Sequence, residues 1–295
     1  MINKNKKKKQ VIAVVGPTAS GKTAFAVELA KQVNGEIISA DSRLVYKGFD
    51  IGTAKPDKAE MQNVPHYMID IVEPEFDYTA GLYVKEVRLI IDDIIKRGKI
   101  PIIAGGTGLY FRLLLENYQM PEVEPDYALR KELSKYTSVE LHNMLVELDY
   151  SSSQKISSND KNKLIRTLEI VKTLNKPLDE VRGVADENEY DIEWIGRNYP
   201  RGELYDRINK RVDIMLEKGL VEETKSLLQK HGHIHNIVNT IGYQEITQYL
   251  DGHITLQDAC DKLKQNTRNY AKRQLTWFRK NTNIKWNIYP DKLKK

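Results

Sequence analysis

Residues 11–33, VIAVVGPTASGKTAFAVELAKQV, decide the fold. Five apolar residues (11–15) read as a buried strand, and residues 23–33 read as an amphipathic helix. Between them Gly16, Pro17, Thr18, Ala19, Ser20, Gly21, Lys22 and Thr23 fit G-x-x-x-x-G-K-[ST], the phosphate-binding loop, with a strand before it and a helix after it. The glycines let the backbone wrap closely round phosphate oxygens, so that several N–H groups and the helix N-terminus point at one anion. Lys22 adds a full positive charge, and the Thr23 hydroxyl can ligate Mg²⁺. The motif specifies a di- or triphosphate and leaves its fate open.

Working outward, short β-branched runs at 36–39, 68–72 and 100–104 alternate with helical patterns such as 79–97. That alternation predicts βαβ units: an α/β fold with a P-loop-type parallel sheet flanked by helices. Asp41 follows the second strand, at the edge where the P-loop also emerges. An aspartate there can hold Mg²⁺ through water, act as a general base, or simply close a turn. IGTAKP (51–56), with Lys55, is a further glycine-containing loop, and GGTGLY (105–110) brings Thr107 to the same sheet edge. From about residue 117 the pattern becomes charged and helical, with a helix over 160–174, and a strand-like run at 191–195 returns to the core type. The expected division is a catalytic core at 1–117 and 196–295, ending in basic helices, with a mostly helical insertion at 118–195.

The chain has 295 residues, enough for a large core, and 40% hydrophobic with 29% charged residues excludes a wholly disordered chain. Its one cysteine, Cys260, excludes an intrachain disulfide framework and fits a reducing cytoplasm. No apolar run reaches the roughly 18 residues of a membrane span, so no membrane partner is expected. The lysine-rich start precedes only five apolar residues, too few for a secretion signal. The net charge of +5 conceals an uneven distribution. Lys4, Lys6, Lys7, Lys8, Lys9, Lys292, Lys294 and Lys295 carry +8, so the remainder carries −3. Residues 262–290 hold eight Lys or Arg and no acid, a candidate polyanion surface or else a solvated helix face. Within it Lys264, Arg268 and Lys272 fall on one stripe of an amphipathic helix, opposite an apolar stripe. Arg207 and Arg211, four apart, can reach a phosphate site or pair with Asp206 and Asp213. HGHIH (231–235) has alternating histidines but no completing ligands, and reads as a helix-end loop.

Taken together, GPTASGKT (16–23), ADSRLVYKGFDIGTAKP (40–56), GGTGLY (105–110), SSNDKNKLIRTLEI (157–170), IGYQE (241–245) and TRNYAKRQLTWFRK (267–280) closely resemble the tRNA dimethylallyltransferases, in family order and over almost the whole chain. Departures are small: Ser157–Ser158 stand where the family often has His-Pro, and His66–Tyr67 where it often has two histidines. The resemblance implies that the P-loop and Arg211 hold the diphosphate of dimethylallyl diphosphate, with Mg²⁺ as cofactor. The acceptor is then the exocyclic amine of adenosine 37, next to the anticodon. Asp41 matches the family's base, and Thr107 the residue that assists departure of the bridging oxygen. Contacts to the tRNA anticodon stem-loop carry over to Asp41, Ser42, Arg43, Leu44, Thr107, Asn162, Lys163, Leu164, Ile165 and Arg166, and the basic stripe is expected to meet stem phosphates. The chain is expected to act as a monomer.

Three other readings compete. A small-molecule kinase could use the same loop with ATP, but has no need of a long acid-free basic segment. A prenyltransferase acting on free adenine nucleotides meets the same objection. A non-enzymatic RNA-binding module leaves the P-loop, Asp41 and Thr107 without a purpose.

Overall fold

A computed structural model describes residues 8–119, 121, 123–184 and 188–288. In chain order the elements are β1 (Lys9–Val15), α1 (Lys22–Val33), β2 (Gly35–Ala40), α2 (Lys58–Met61), β3 (His66–Tyr67), α3 (Ala80–Lys96), β4 (Ile100–Gly105) and α4 (Gly108–Leu115). There follow β5 (Tyr118–Gln119), α5 (Tyr127–Leu133), α6 (Ser138–Leu148), α7 (Tyr150–Ser153), α8 (Lys161–Leu174), α9 (Leu178–Val181) and β6 (Gly183–Val184). The remainder is β7 (Tyr190–Asn198), α10 (Arg201–Glu217), α11 (Leu220–His231), α12 (His235–Val238), α13 (Tyr243–Leu250), α14 (Leu256–Phe278) and β8 (Lys285–Ile288). Two units emerge: one runs to Phe111 and resumes at Glu189, and the other is Arg112–Asn188.

The first unit is built on a six-stranded sheet in the order β3-β2-β4-β1-β7-β8, every neighbouring pair parallel. Residues 11–15 of β1 are almost fully buried, because helices cover both faces of a parallel sheet. Ile12 and Val14 pack with Ile37 and Ile102 against Ala26, Val27 and Ala30 of α1, while Val11, Ala13 and Val15 face the other way. Asn34, in the left-handed conformation (φ 52°), ends α1, and the Thr79 hydroxyl caps α3 by accepting from the Leu82 N–H.

Three expectations are corrected. The strand expected at 68–72 does not form: pairing with β2 stops at the two-residue β3 just before it, because Met68 (φ 64°) and Asp70 (φ 55°) are left-handed and turn the chain away. The N–H groups of Asp70 and Ile71 go instead to the carbonyls of Leu44 and Val45. The run at 191–195 is not part of the insertion: it lies within β7, which pairs with β1 from Lys9↔Tyr190 to Val15↔Gly196. The core does not end in basic helices alone, since the later part of the basic segment forms the edge strand β8; its residues 289 and 290 lie outside the described residues.

The second unit has its own core, in which Leu141 and Leu145 of α6 pack against Leu164 and Leu168 of α8. Asp160 caps α8 through the Lys163 N–H. Glu169, fully buried, accepts two hydrogen bonds from Arg130 (2.8 and 2.9 Å), one from Arg166 and one from the Asp126 N–H. Such pairing is what makes a buried carboxylate tolerable.

Candidate active site

The strand register sets the site. Gly105 is paired with Val15 on one side and with Ala40 on the other, so the loops leaving β1, β2 and β4 start abreast. Only glycine fits at that point: a Cβ on Gly105 would lie 2.1 Å from the Ala40 carbonyl oxygen. The Thr107 N–H then donates to this carbonyl at 3.0 Å, folding the loop back over β2.

In the P-loop, a Cβ on Gly16 would meet the Arg197 carbonyl oxygen at 2.2 Å, and Gly21 opens α1 in the left-handed conformation (φ 76°). Ala19 is left-handed as well, and Ser20 is buried with no hydrogen-bond partner for its hydroxyl among the described residues. The Lys22 ammonium donates to the Pro17 carbonyl at 2.7 Å, curling over the loop it serves. Burial pushes its pKa down to about 7; Asp41 opposes this and Arg211 reinforces it. Thr23, exposed in the first turn of α1, leaves its hydroxyl open to a ligand.

A cavity of about 390 Å³ opens beside the loop. Thr18, Asp41, Arg43, Thr53, Arg211 and Tyr270 are among its lining residues. The Asp41 carboxylate accepts from the Arg43 N–H at 2.9 Å, so the turn role and a place at the cavity wall coexist in one side chain. Thr107 supports the floor: its hydroxyl accepts from the Ser42 N–H at 3.1 Å. Arg211 is desolvated, which lowers its pKa, with Asp41 opposing, and its guanidinium donates to the Thr53 carbonyl at 3.3 Å. It does not pair with Asp213, and Arg207 likewise turns to the P-loop, donating to the Ala19 carbonyl at 3.0 Å. Beneath Thr53, the Glu223 carboxylate accepts from the Ile51 and Gly52 N–H groups and from the Tyr243 hydroxyl, at 2.6–2.9 Å.

Some expected residues are committed elsewhere. Lys55 is 6% exposed in its side chain and bound to Asp50, Asp70 and the Tyr46 carbonyl, so it shapes its loop and offers no free charge. Lys264 and Arg268 do not lie on a free face: the first pairs with Asp213 and the second donates to Asn209, both on α10, while Lys272 is exposed. In the second unit Leu164 is fully buried, Ile165 packs on the same core and Arg166 is fastened to Glu169 and the Val123 carbonyl. From that stretch Asn162 and Lys163 present exposed side chains. His231, His233 and His235 face different partners, and among the described residues no three His, Cys, Asp or Glu could hold a metal ion together. The donors at the mouth, one hydroxyl and one carboxylate, are hard oxygen ligands. They suit Mg²⁺ held mainly by a diphosphate and water, not by a protein cage.

Two residues had escaped the sequence reading. Tyr270 walls the cavity, and Gln274 accepts from the Thr18 N–H while donating to the Gly106 carbonyl. Their spacing of four on a helix was available as a signal; their partners were not.

The chain is similar to known proteins along nearly its whole length. The family model described as "IPP transferase" matches residues 44–281, and that described as "Isopentenyl transferase" matches residues 9–72. The tRNA dimethylallyltransferase of Carboxydothermus hydrogenoformans is 46% identical over 283 residues, covering 94% of this chain and 91% of that protein. The corresponding enzyme of Macrococcus caseolyticus is 43% identical over 281 residues, covering 94% and 89%. The crystal structure of the full-length tRNA isopentenylpyrophosphate transferase of Bacillus halodurans superposes with a TM-score of 0.72 at 41% identity, covering 95% of this chain and 90% of that one. A eukaryotic dimethylallyltransferase acting on tRNA gives a TM-score of 0.82 at 28% identity, covering 95% and 74%. With a P-loop, an aspartate and an arginine gathered around one cavity, and with relatives this similar along nearly its whole length, the chain belongs to the IPP transferase family of tRNA dimethylallyltransferases.

Proposed function

We propose that this protein transfers the dimethylallyl group of dimethylallyl diphosphate to the exocyclic amine of adenosine 37, beside the anticodon of tRNA, and releases diphosphate. The observation that carries the reading is the shared cavity: Asp41 and Arg211 line one wall system with Thr18 of the P-loop. A base and an anion site are thus within one substrate's reach.

The donor's diphosphate lies on the P-loop N–H groups and Lys22, with Arg211 across from it. The amine lone pair forms the new C–N bond as the C–O bond to the bridging oxygen breaks, and the bond's electrons leave with the diphosphate. The amine is a weak nucleophile because its lone pair is delocalised into the ring, so proton removal matters, and the Asp41 carboxylate takes that proton. Thr107 donates to the bridging oxygen, while Lys22 and Arg211 neutralise charge as it grows there. Mg²⁺, held through Thr23 and the diphosphate, would supply further neutralisation of the leaving group. The adenosine must leave its stack to enter the cavity, at a cost of a few kcal/mol that is least in a loop. The chain acts as a monomer, and a tRNA substrate implies the cytoplasm. Asn162 and Lys163 on α8, with Arg43 at the cavity, are the proposed contacts to the anticodon stem-loop.

The test is incubation with tRNA, Mg²⁺ and radiolabelled dimethylallyl diphosphate, with γ-labelled ATP in parallel. Label should enter tRNA from the prenyl donor and not from ATP. Transfer of the γ-phosphate, or prenylation of free adenine nucleotide in preference to tRNA, would replace this reading.

A further inference from the structure

A single side chain on α14 joins the P-loop to the loop that carries Thr107. Gln274 is 5% exposed, its Oε1 accepts from the Thr18 N–H at 2.8 Å, and its Nε2 donates to the Gly106 carbonyl at 3.0 Å. The orientation of the amide follows from its partners: turned over, it would set donor against donor and acceptor against acceptor. There is no slack, since a Cβ on Gly106 would fall 2.0 Å from Nε2. The next residue is Thr107, whose hydroxyl meets the Ser42 N–H beside Asp41. One turn before Gln274 on the same helix, Tyr270 walls the cavity.

We infer that Gln274 is a positioning residue for the transfer reaction: it fixes the separation between the diphosphate cradle and Thr107, and its Nε2–H donor keeps the Thr107 loop in register. This rests on the roles given above to the P-loop and Thr107. A neutral amide is suited to the task because one tip carries both a donor and an acceptor. A carboxylate of the same length keeps the acceptor for Thr18 and loses the donor for Gly106. When protonated, a carboxyl regains both, and burial raises its pKa toward neutrality.

The experiment compares Gln274→Glu and Gln274→Leu with the parent protein in single-turnover transfer to tRNA from about pH 6 to about pH 8.5. Rates are taken as ratios to the parent, which cancels titration shared by all three proteins, and circular dichroism is recorded at each pH. Gln274→Leu should be slower by about 10- to 100-fold at every pH, the scale expected of small misplacements in an active site. Gln274→Glu should be as slow near pH 8.5 and recover at least about fivefold toward pH 6, as the carboxyl takes up a proton. If Gln274→Leu does not fold, the profile of Gln274→Glu decides alone. A ratio for Gln274→Glu that is flat with pH, a Gln274→Leu variant as fast as the parent, or ellipticity changing in step with the rate would overturn the assignment. Absence of transfer by the parent protein would instead overturn the function on which it rests.

Discussion

The Lys264 ammonium lies 2.6 Å from the Asp213 carboxylate, fastening α14 to α10, and Arg268, one turn on, reaches Asn209 of the same helix. Two cations of the basic stripe therefore hold the fold together. Replacing both with alanine should cost stability, about 1 kcal/mol or less for a partly exposed pair, in urea unfolding. The KM for tRNA should move little. Lys272 and Arg279, both exposed, should behave the other way. Their joint replacement should raise the KM for tRNA and flatten the log affinity against log salt plot by somewhat under about one unit per lost phosphate contact. An unchanged salt slope would remove them from the RNA surface.

Asp41→Asn keeps the size of the side chain and an acceptor for the Arg43 N–H while removing the base. The single-turnover rate should fall by about 10²–10⁴-fold. Equilibrium binding of tRNA should change by much less, and a variant that transfers at the parental rate would show that the amine proton goes elsewhere.

Lys22 couples donor binding to protons. Its pKa in the free protein is pushed down to about 7, so near pH 8 the amine is mostly neutral. A diphosphate beside it favours the charged form and raises that pKa, so binding takes up a proton. The sign follows: affinity is greatest below about pH 7 and declines as pH rises through the range between the free and bound values. Calorimetry of an unreactive dimethylallyl diphosphate analogue near pH 8, in buffers of different ionisation enthalpy, should show uptake approaching one proton. Lys22→Arg, charged throughout, should abolish the uptake.

Glu223 holds the loop whose Thr53 carbonyl meets Arg211, by accepting from two N–H groups and the Tyr243 hydroxyl. In Glu223→Gln, a donor is forced against one of these donors. The expected loss is about 1–3 kcal/mol in urea unfolding, the cost of an unsatisfied buried polar group, with a weaker hold on the diphosphate. Parental stability would mean that the loop is held by its other contacts, including edge-on packing of Phe49 against Tyr243.

What could be read from the chain beforehand was local or periodic. The P-loop is contiguous, and the strand ends bearing Asp41 and Thr107 follow from parallel-sheet topology, which sends such ends to one edge. The run at 68–72 has strand composition and yet is not a strand, because Met68 and Asp70 are left-handed. Charge was the least legible quantity. Lys55, Arg166 and Lys264 look alike as cations, but their carboxylate partners are chosen by packing. Gln274 shows the limit most clearly, since it meets Thr18 from 256 residues away.

That span bears on how the protein comes into being on the ribosome. A growing chain contains residues 16–23 from early in synthesis, but Tyr270 and Gln274 are added only after β7 has joined the sheet sequence and α10 has followed it. Until α14 emerges, the phosphate loop lacks its tie to the Thr107 loop and the cavity lacks a wall. Products of translation that stop short of α14 therefore carry the phosphate-binding loop without Tyr270 or Gln274, and transfer by them is expected to be absent.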